Sequence, residues 1–166
     1  MGGGHDYVCD LLPNIHNGLQ CPAGVSEVDL VVGDYLYYHY GCDGFDDRVC
    51  HVVDTLYDVP CKIIHVNSGK ELSDHILTLV DHFKSRGSPV MMGGDTDVSS
   101  KGIMGVCRSS TQNYLLVVDP HFWGEATEAA ALQASDWVKW QPLSDFNESS
   151  FYNMCLPQFT SRELNK

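Results

Sequence analysis

The sequence predicts an α+β fold in a single domain. The chain has 166 residues, a common size for one domain. Apolar residues make up 43% of it and charged residues only 19%, so a substantial hydrophobic core is expected. Segments with helical and with strand-like apolar patterns follow one another without a strict strand–helix–strand order. That mixture favours α+β over a parallel α/β sheet.

Two regions are expected along the chain, a loose arm over residues 1–27 and a folded domain over residues 28–166. The arm is rich in Gly, Pro and Asn and shows no clear apolar period. Residues 28–40 are rich in β-branched and aromatic side chains, which predicts a strand. The Gly-Cys-Asp-Gly sequence at residues 41–44 then predicts a turn.

Two segments carry helical signals. Residues 50–57 have one apolar side, and Pro60 ends that segment. In the second segment, the spacing of Ser68 and Glu71 fits a capping box, and Gly87 fits a C-terminal cap. Apolar residues recur between them at helical spacing: Leu72, Ile76, Leu79, Val80 and Phe83.

Short apolar segments predict the remaining strands of a sheet. Residues 103–108 and 114–119 flank a polar stretch, which is a hairpin signal. Residues 125–134 are rich in Ala and predict a third helix. Further strands are expected at residues 61–66, 90–92, 137–140 and 151–155.

The charge balance argues against several classes of partner. Acidic residues outnumber basic ones by 22 to 10, which gives a formal net charge of −12. Binding to a nucleic-acid backbone or an acidic membrane surface needs a basic face, and here Lys and Arg are scattered singly. Apolar runs all stay well below the ~18 residues of a membrane-spanning helix. We therefore expect a monomer without nucleic-acid partners or membrane insertion.

The seven cysteines indicate a reducing compartment. Their number is odd, they form no C-x-x-C motif, and the N-terminus shows no signal-peptide pattern. We expect a cytoplasmic protein whose cysteines stay as thiols. Cys42, Cys50 and His51 lack the usual paired ligand spacing, so neither a metal nor a cofactor is expected. Three cysteines in apolar strand candidates are expected in the core: Cys61, Cys107 and Cys155.

The clearest chemical signal is Asp119-Pro120-His121. If these residues end a strand, Asp119 and His121 point to one face with Cα atoms roughly 6–7 Å apart. Pro120 fixes its own φ angle and stiffens this arrangement. An imidazole can accept a thiol proton, and a nearby carboxylate can orient the imidazole. Taken alone, however, three such residues also fit an ordinary surface turn.

Several rarer short motifs occur in order along the chain around Asp119-Pro120-His121. They are Tyr-His-Tyr-Gly-Cys-Asp-Gly at 38–44, Asp-Asp-Arg at 46–48, Pro-Val-Met-Met-Gly-Gly-Asp at 89–95, LLVVDPHFWG at 115–124 and Ser-Phe-Tyr-Asn-Met-Cys-Leu at 150–156. Together they resemble the cysteine proteases specific for the ubiquitin-fold modifier, most closely the short type without a large N-terminal extension. The resemblance covers most of the chain from about Asp34 onward.

The resemblance implies a papain-like cysteine protease fold and a proteolytic function. Such an enzyme cleaves after the C-terminal glycine of the modifier, in its precursor or in its protein conjugates. The resemblance also implies three roles in this chain. His121 is then the general base, Asp119 is its orienting partner, and the hydroxyl of Tyr40 stabilises the oxyanion.

The chain departs from the family pattern after Arg48. In the family, this stretch leads within a few residues to Gly-Trp-Gly-Cys, whose cysteine is the nucleophile and opens the central helix. Here Val-Cys-His-Val-Val-Asp follows instead, and the sequence from about Val52 resembles a later family helix. We therefore expect an internal deletion. Cys50 is a candidate substitute nucleophile, because the N-terminus of a helix lowers the pKa of a thiol.

Three interpretations follow from this pattern. In the first, the chain is a thiol protease of the modifier pathway, with His121, Asp119 and Tyr40 in the roles given above. In the second, it is a catalytically inactive module that still binds the modifier. In the third, it is a misassembled isoform that does not fold stably, because a lost central helix exposes the apolar faces that packed on it.

Overall fold

The computed structural model describes residues 29–32, 48–96, 100–119 and 129–159. Its strands are β1 (Asp29–Val32), β2 (Cys61–Val66), β3 (Val90–Gly94), β4 (Lys101–Arg108), β5 (Tyr114–Val118), β6 (Val138–Pro142) and β7 (Tyr152–Pro157). Its α-helices are α1 (Arg48–Tyr57), α2 (Ile76–Ser85) and α3 (Ala129–Ala134), and two 3₁₀ helices span Gly69–His75 and Leu143–Asp145. The combination of helices with one antiparallel sheet confirms the predicted α+β class.

All the strands belong to one antiparallel sheet. Its order is β2-β7-β3-β4-β5-β6, and β1 pairs with the last residues of β4. The predicted β4–β5 hairpin is confirmed, with a register shift between Ile103 and Gly105. Because neighbouring strands run in opposite directions, β3 and β5 end at the same edge at which β4, β6 and β7 begin. We call this the Asp119 edge, since Asp119 directly follows β5 there.

The sheet separates two apolar layers. Leu115 and Val117 belong to the larger core cluster, whereas Leu116 between them belongs to a smaller one, as expected for side chains that alternate across a strand. Helix α2 covers the larger cluster with Leu79, Val80 and Phe83. Leu132 of α3 packs against the smaller cluster on the opposite face. The core therefore lies mainly between α2 and the sheet.

The N-terminus of the second predicted helix differs from the capping box that its sequence predicts. Ser68 is the N-cap and its Oγ accepts a hydrogen bond from the Lys70 amide at 3.3 Å. The Glu71 carboxylate instead accepts from Asn67 Nδ2 at 3.3 Å, so the reciprocal capping box is incomplete. Residues 69–75 form a 3₁₀ helix, and the α-helix starts only at Ile76. At the other end Gly87 adopts φ 74°, which confirms the predicted cap.

Packing against a distant loop explains this tight first turn. The Gly69 amide donates to the Ser150 carbonyl at 2.9 Å, and the Gly69 Cα faces the Asn147 carbonyl so closely that an added Cβ would overlap it. The chain at residues 69–75 is therefore fixed by residues 147–150 as well as by its own hydrogen bonds. Such a tertiary contact overrides the local preference for an α-helical turn.

Several predictions fall partly or wholly outside the described residues. The strand expected at residues 28–40 is described only as β1, and the arm at residues 1–27 lies outside altogether. The helix expected at residues 125–134 is described from Ala129 onward. Among the helices that the structure describes, none is long and apolar enough to cross a membrane.

The close packing at Gly69 gives a first prediction. We expect Gly69→Ala to lower the free energy of unfolding by roughly 1–3 kcal/mol, because the new methyl group overlaps a backbone carbonyl. Chemical denaturation measures this value. The matched control is Gly102→Ala, whose Cβ meets Val118 only at 3.6 Å; we expect its stability to be unchanged or raised by up to roughly 1 kcal/mol.

Two outcomes contradict this account. Equal losses in both variants would mean that the contact between Gly69 and Asn147 is not what makes position 69 sensitive. A wild-type chain without any cooperative transition would favour the third interpretation, that of an unstable isoform.

A buried histidine connects the end of α2 to β7. His82 is 5% exposed, and its Nε2 lies 2.9 Å from the Ser88 carbonyl and 3.0 Å from Ser88 Oγ. Ser88 Oγ in turn donates to the Pro157 carbonyl at 2.9 Å. This pattern fits a neutral ring whose Nε2–H donates to Ser88. Burial lowers the pKa of His82, and this effect outweighs the hydrogen bond to Ser88.

The lowered pKa of His82 predicts a stability that depends on pH. Below about pH 6.5 the unfolded chain binds a proton at His82 that the folded chain does not bind. Stability is therefore full above that pH and falls as the pH drops below it, by at most about 1.4 kcal/mol per pH unit from this group. Denaturation at pH 7.5 and 5.5 measures the loss. We expect His82→Gln, which keeps a donor for Ser88, to reduce it.

The control for this measurement is His51→Gln, because His51 is an exposed residue of α1. This variant should lose as much stability between the two pH values as the wild type does. If His82→Gln loses as much as well, the acid sensitivity arises from other groups.

Candidate functional site

Asp119 is the described member of the predicted catalytic motif. It follows β5, and its amide donates to the Trp137 carbonyl at 2.9 Å, which extends the pairing of β5 and β6 by one residue. The side chain is half-buried. The motif thus begins where the sequence predicts, at the end of a strand. Pro120, His121 and Tyr40 lie outside the described residues.

A second carboxylate fixes the Asp119 edge two strands away. Asp95 follows β3, and its Oδ1 accepts hydrogen bonds from Ser150 Oγ at 2.9 Å, the Thr96 amide at 2.6 Å and the Phe151 amide at 3.0 Å. The hydrogen bond from Ser150, followed by those from the backbone, lowers the pKa of Asp95. The ionised carboxylate therefore ties the end of β3 to the start of β7. Asp95 ends the sequence Pro-Val-Met-Met-Gly-Gly-Asp, but its role was not predicted, because its partners Ser150 and Phe151 are distant in sequence.

Cys50 lies in a group of three thiols. It is the third residue of α1, a helix that packs on β2 and β7. The Sγ atoms of Cys50, Cys61 and Cys155 all lie within 4.8 Å of one another. Cys155 is only 1% exposed, whereas Cys50 and Cys61 are half-buried. We call these three residues the thiol cluster.

The prediction that Cys61, Cys107 and Cys155 are core residues holds for two of them. Cys107 and Cys155 are buried, but Cys61 is half-buried. Cys61 is the first residue of β2 and pairs with Pro157 of β7. Its side chain faces α1, on the side of the sheet opposite the larger core cluster. A helix covers such a position less completely than a packed core does.

Hydrogen bonding makes the thiols of the cluster unequal. The hydrogen bond from Cys155 lowers the pKa of Cys61, although burial acts in the opposite direction. The same hydrogen bond, together with burial, raises the pKa of Cys155. The pKa of Cys61 is therefore the lower of the two.

The structure does not bring Cys50 close to Asp119. Cys50 contacts the cluster over β2 and β7, and β7 is three strands away from β5. Since neighbouring strands lie about 4.8 Å apart, this separates the two strands by roughly 14 Å. A triad needs about 3 Å between nucleophile and base, and again between base and carboxylate. The described neighbours of the Cys50 sulfur include two other thiols, those of Cys61 and Cys155.

The thiol cluster was missed because its members are far apart in sequence. Cys61 pairs with Pro157 only because β2 and β7 are antiparallel neighbours. Cys155, two residues before Pro157, then lies diagonally beside Cys61 on the same face. Helix α1 then adds Cys50 from above that face. The spacing of the cysteines in the sequence therefore does not predict this arrangement.

Comparison with known proteins gives one consistent result. The family model of peptidase family C78 matches residues 48–155. Ufm1-specific protease 1 of Mus musculus is 32% identical over 203 residues, covering 88% of this chain and 94% of that protein. Probable Ufm1-specific protease 1 of Drosophila melanogaster is 29% identical over 211 residues, covering 91% and 88%.

A solved structure shows the same fold. The crystal structure of UfSP from C. elegans matches 70% of this chain with a TM-score of 0.62 and 33% sequence identity. The matched region is 22% of that longer chain. This similarity confirms the papain-like α+β fold expected from the sequence motifs.

Proposed function

Because this chain belongs to peptidase family C78, we propose that it acts in the Ufm1 pathway as a cysteine-type peptidase. Its substrate is the bond that follows the C-terminal glycine of Ufm1, in the precursor or in protein conjugates. The relatives that it matches over most of their length are named as Ufm1-specific proteases, which supports this substrate. Its partners are then Ufm1 and its conjugates.

The observation that carries this proposal is the placement of Asp119. A backbone hydrogen bond to Trp137 fixes Asp119 at the end of β5, directly before Pro120-His121. In the proposed mechanism His121 accepts the thiol proton and later returns it to the leaving amine, while Asp119 orients the imidazole. The Tyr40 hydroxyl donates to the oxyanion, a contribution typically worth ~3 kcal/mol of barrier.

Whether the chain cleaves Ufm1 substrates or only binds Ufm1 depends on whether it has a nucleophile at the site. In the proposed reaction a thiolate attacks the glycine carbonyl, the amine leaves, and water then hydrolyses the resulting thioester. Cys50 is the nucleophile that the sequence suggests for this role. Its position over β7, roughly 14 Å across the sheet from β5, favours the second candidate function, in which the chain binds Ufm1 without cleaving it.

Alignment lengths also support the second candidate. The alignment with the mouse protein spans 203 positions, but 88% of the 166-residue chain is only about 146 residues, which leaves about 57 positions without a counterpart. The same comparison for the Drosophila melanogaster protein, with 211 positions and 91% of the chain, leaves about 60. Together with the motif order, these differences support an internal deletion after Arg48 that removes the family nucleophile.

The compartment that we propose is the cytoplasm. The odd number of cysteines and the lack of a C-x-x-C motif support a reducing environment. The net charge of −12 supports a monomer that does not bind nucleic acid.

A Ufm1 probe with a C-terminal electrophile tests the cleavage mechanism. If the chain is an active peptidase, mass spectrometry should locate an adduct on Cys50, and Cys50→Ala should abolish it. His121→Ala should slow its formation at least about 100-fold, because a general base typically contributes that much. Cys107→Ala is the matched control, since Cys107 is a buried thiol of β4 outside the cluster. An adduct that forms equally fast without His121 would contradict the assigned base.

Equilibrium binding of unmodified Ufm1 tests the second candidate. If the chain is a binding module, wild type and Cys50→Ala should bind Ufm1 with the same affinity and form no adduct. Cys50 lies on α1, over β2 and β7, so its side chain is not needed at the Asp119 edge. A folded chain that neither reacts with the probe nor binds Ufm1 would contradict both candidates.

A further inference from the structure

The thiol cluster is a set of reactive groups that neither candidate function uses as a unit. Its three residues come from three different elements: Cys50 from α1, Cys61 from β2 and Cys155 from β7. Cys61 pairs directly with Pro157, so Cys155 two residues earlier lies on the same face of the sheet. The cluster is thus produced by the tertiary fold.

We propose that the thiol cluster binds one Zn²⁺ ion through the sulfur atoms of Cys50, Cys61 and Cys155. Thiolates are ligands that this ion prefers, with Zn–S bonds of about 2.3 Å. In a tetrahedral site this bond length separates the sulfur atoms by about 3.8 Å. The observed separations, all within 4.8 Å, approach that value, so small side-chain rotations suffice to close the site.

The surroundings of the cluster fit a divalent cation with one open coordination position. Cys155 is 1% exposed and anchors the site from the sheet, while the half-buried Cys50 and Cys61 leave a route from solvent. Asp54 lies one helical turn after Cys50 and exerts its negative charge on Cys61. Three protein ligands leave the fourth tetrahedral position for water.

Binding of the ion changes the hydrogen bonding of the cluster. The Cys61 thiol donates to the Val59 carbonyl at 3.7 Å, an interaction that coordination as a thiolate ends. Coordination as thiolates releases up to three protons to the solvent, one from each cysteine. The bound ion then links α1 to β2 and β7.

Metal titration of the full chain tests this site. The protein is purified without metal under anaerobic reducing conditions and titrated with Co²⁺ and with Zn²⁺ in competition with a chromogenic chelator. We expect one tightly bound ion and a sulfur-to-Co²⁺ charge-transfer band. Cys50→Ala and Cys61→Ala should each weaken Zn²⁺ binding at least about 100-fold, since even an outer-shell partner is worth roughly 10–100-fold.

Two control variants separate the cluster from the other cysteines of the chain. Cys107→Ala removes a buried thiol outside the cluster and should bind Zn²⁺ like the wild type. A variant that combines Cys9→Ser, Cys21→Ser and Cys42→Ser should also bind it unchanged. Loss of binding in either control, or full binding by both cluster variants, would overturn the proposal.

A measurement on the wild-type chain keeps the test independent of whether the variants fold. Alkylation by iodoacetamide, followed by mass spectrometry of each cysteine, reports how accessible each thiol is. One equivalent of Zn²⁺ should slow the modification of Cys50 and Cys61 at least about 10-fold and leave Cys42 unaffected, because only coordinated thiolates lose their nucleophilicity. Unchanged rates at Cys50 and Cys61 would show that the cluster is thiol packing only.

Discussion

The position of β7 between β2 and β3 is the constraint on which the rest of the structure depends. The neighbours of β7 come from earlier, separate parts of the chain. The sheet is therefore complete only when this late strand pairs with both β2 and β3. The residues just before β7 hold Gly69 and Asp95, and Pro157 at its end accepts the hydrogen bond from Ser88. Pairing over such long sequence separations costs loop-closure entropy, which burial of Tyr152, Met154 and Leu156 offsets.

The alternation of side chains along β7 also determines where chemistry can occur. Met154 and Leu156 point to the core beneath α2, so Cys155 between them points to the opposite face, under α1. That single alternation separates the thiol cluster from the main core. The Asp119 edge has a different origin, since it depends on the β5–β6 pairing and on the carboxylate of Asp95. The thiol cluster therefore lies on one face of β2 and β7, whereas Asp119 is held at the end of β5 by its pairing with β6.

Local sequence patterns were sufficient for most of the fold. The β4–β5 hairpin, the strands β2 and β7 and the end of α2 at Gly87 follow from apolar alternation and turn chemistry, which act over a few residues. The start of α2 was not predictable in the same way. Its 3₁₀ turn depends on the contact between Gly69 and Asn147, two residues that only the assembled sheet brings together.

The same distinction applies to the sites. Asp119 lies where the sequence placed it because a motif that ends a strand needs only local geometry. The thiol cluster depends on the register between β2 and β7, and one residue of slip would turn Cys155 into the core. The sequence placed Cys50 with Cys42 and His51, its neighbours along the chain, whereas the fold places it with Cys61 and Cys155.

The fixed position of α1 bears most directly on the choice between cleavage and binding. To reach Asp119 at the end of β5, Cys50 would have to cross most of the roughly 14 Å between β7 and β5, and α1 would move with it. That movement exposes Cys155 and the buried Val53, which α1 and the sheet keep from water. Burial of one such side chain is worth about 1.5–3 kcal/mol. The proposed binding of Ufm1 at the Asp119 edge would require no such rearrangement, and coordination of a metal by the cluster would oppose the movement of α1 further.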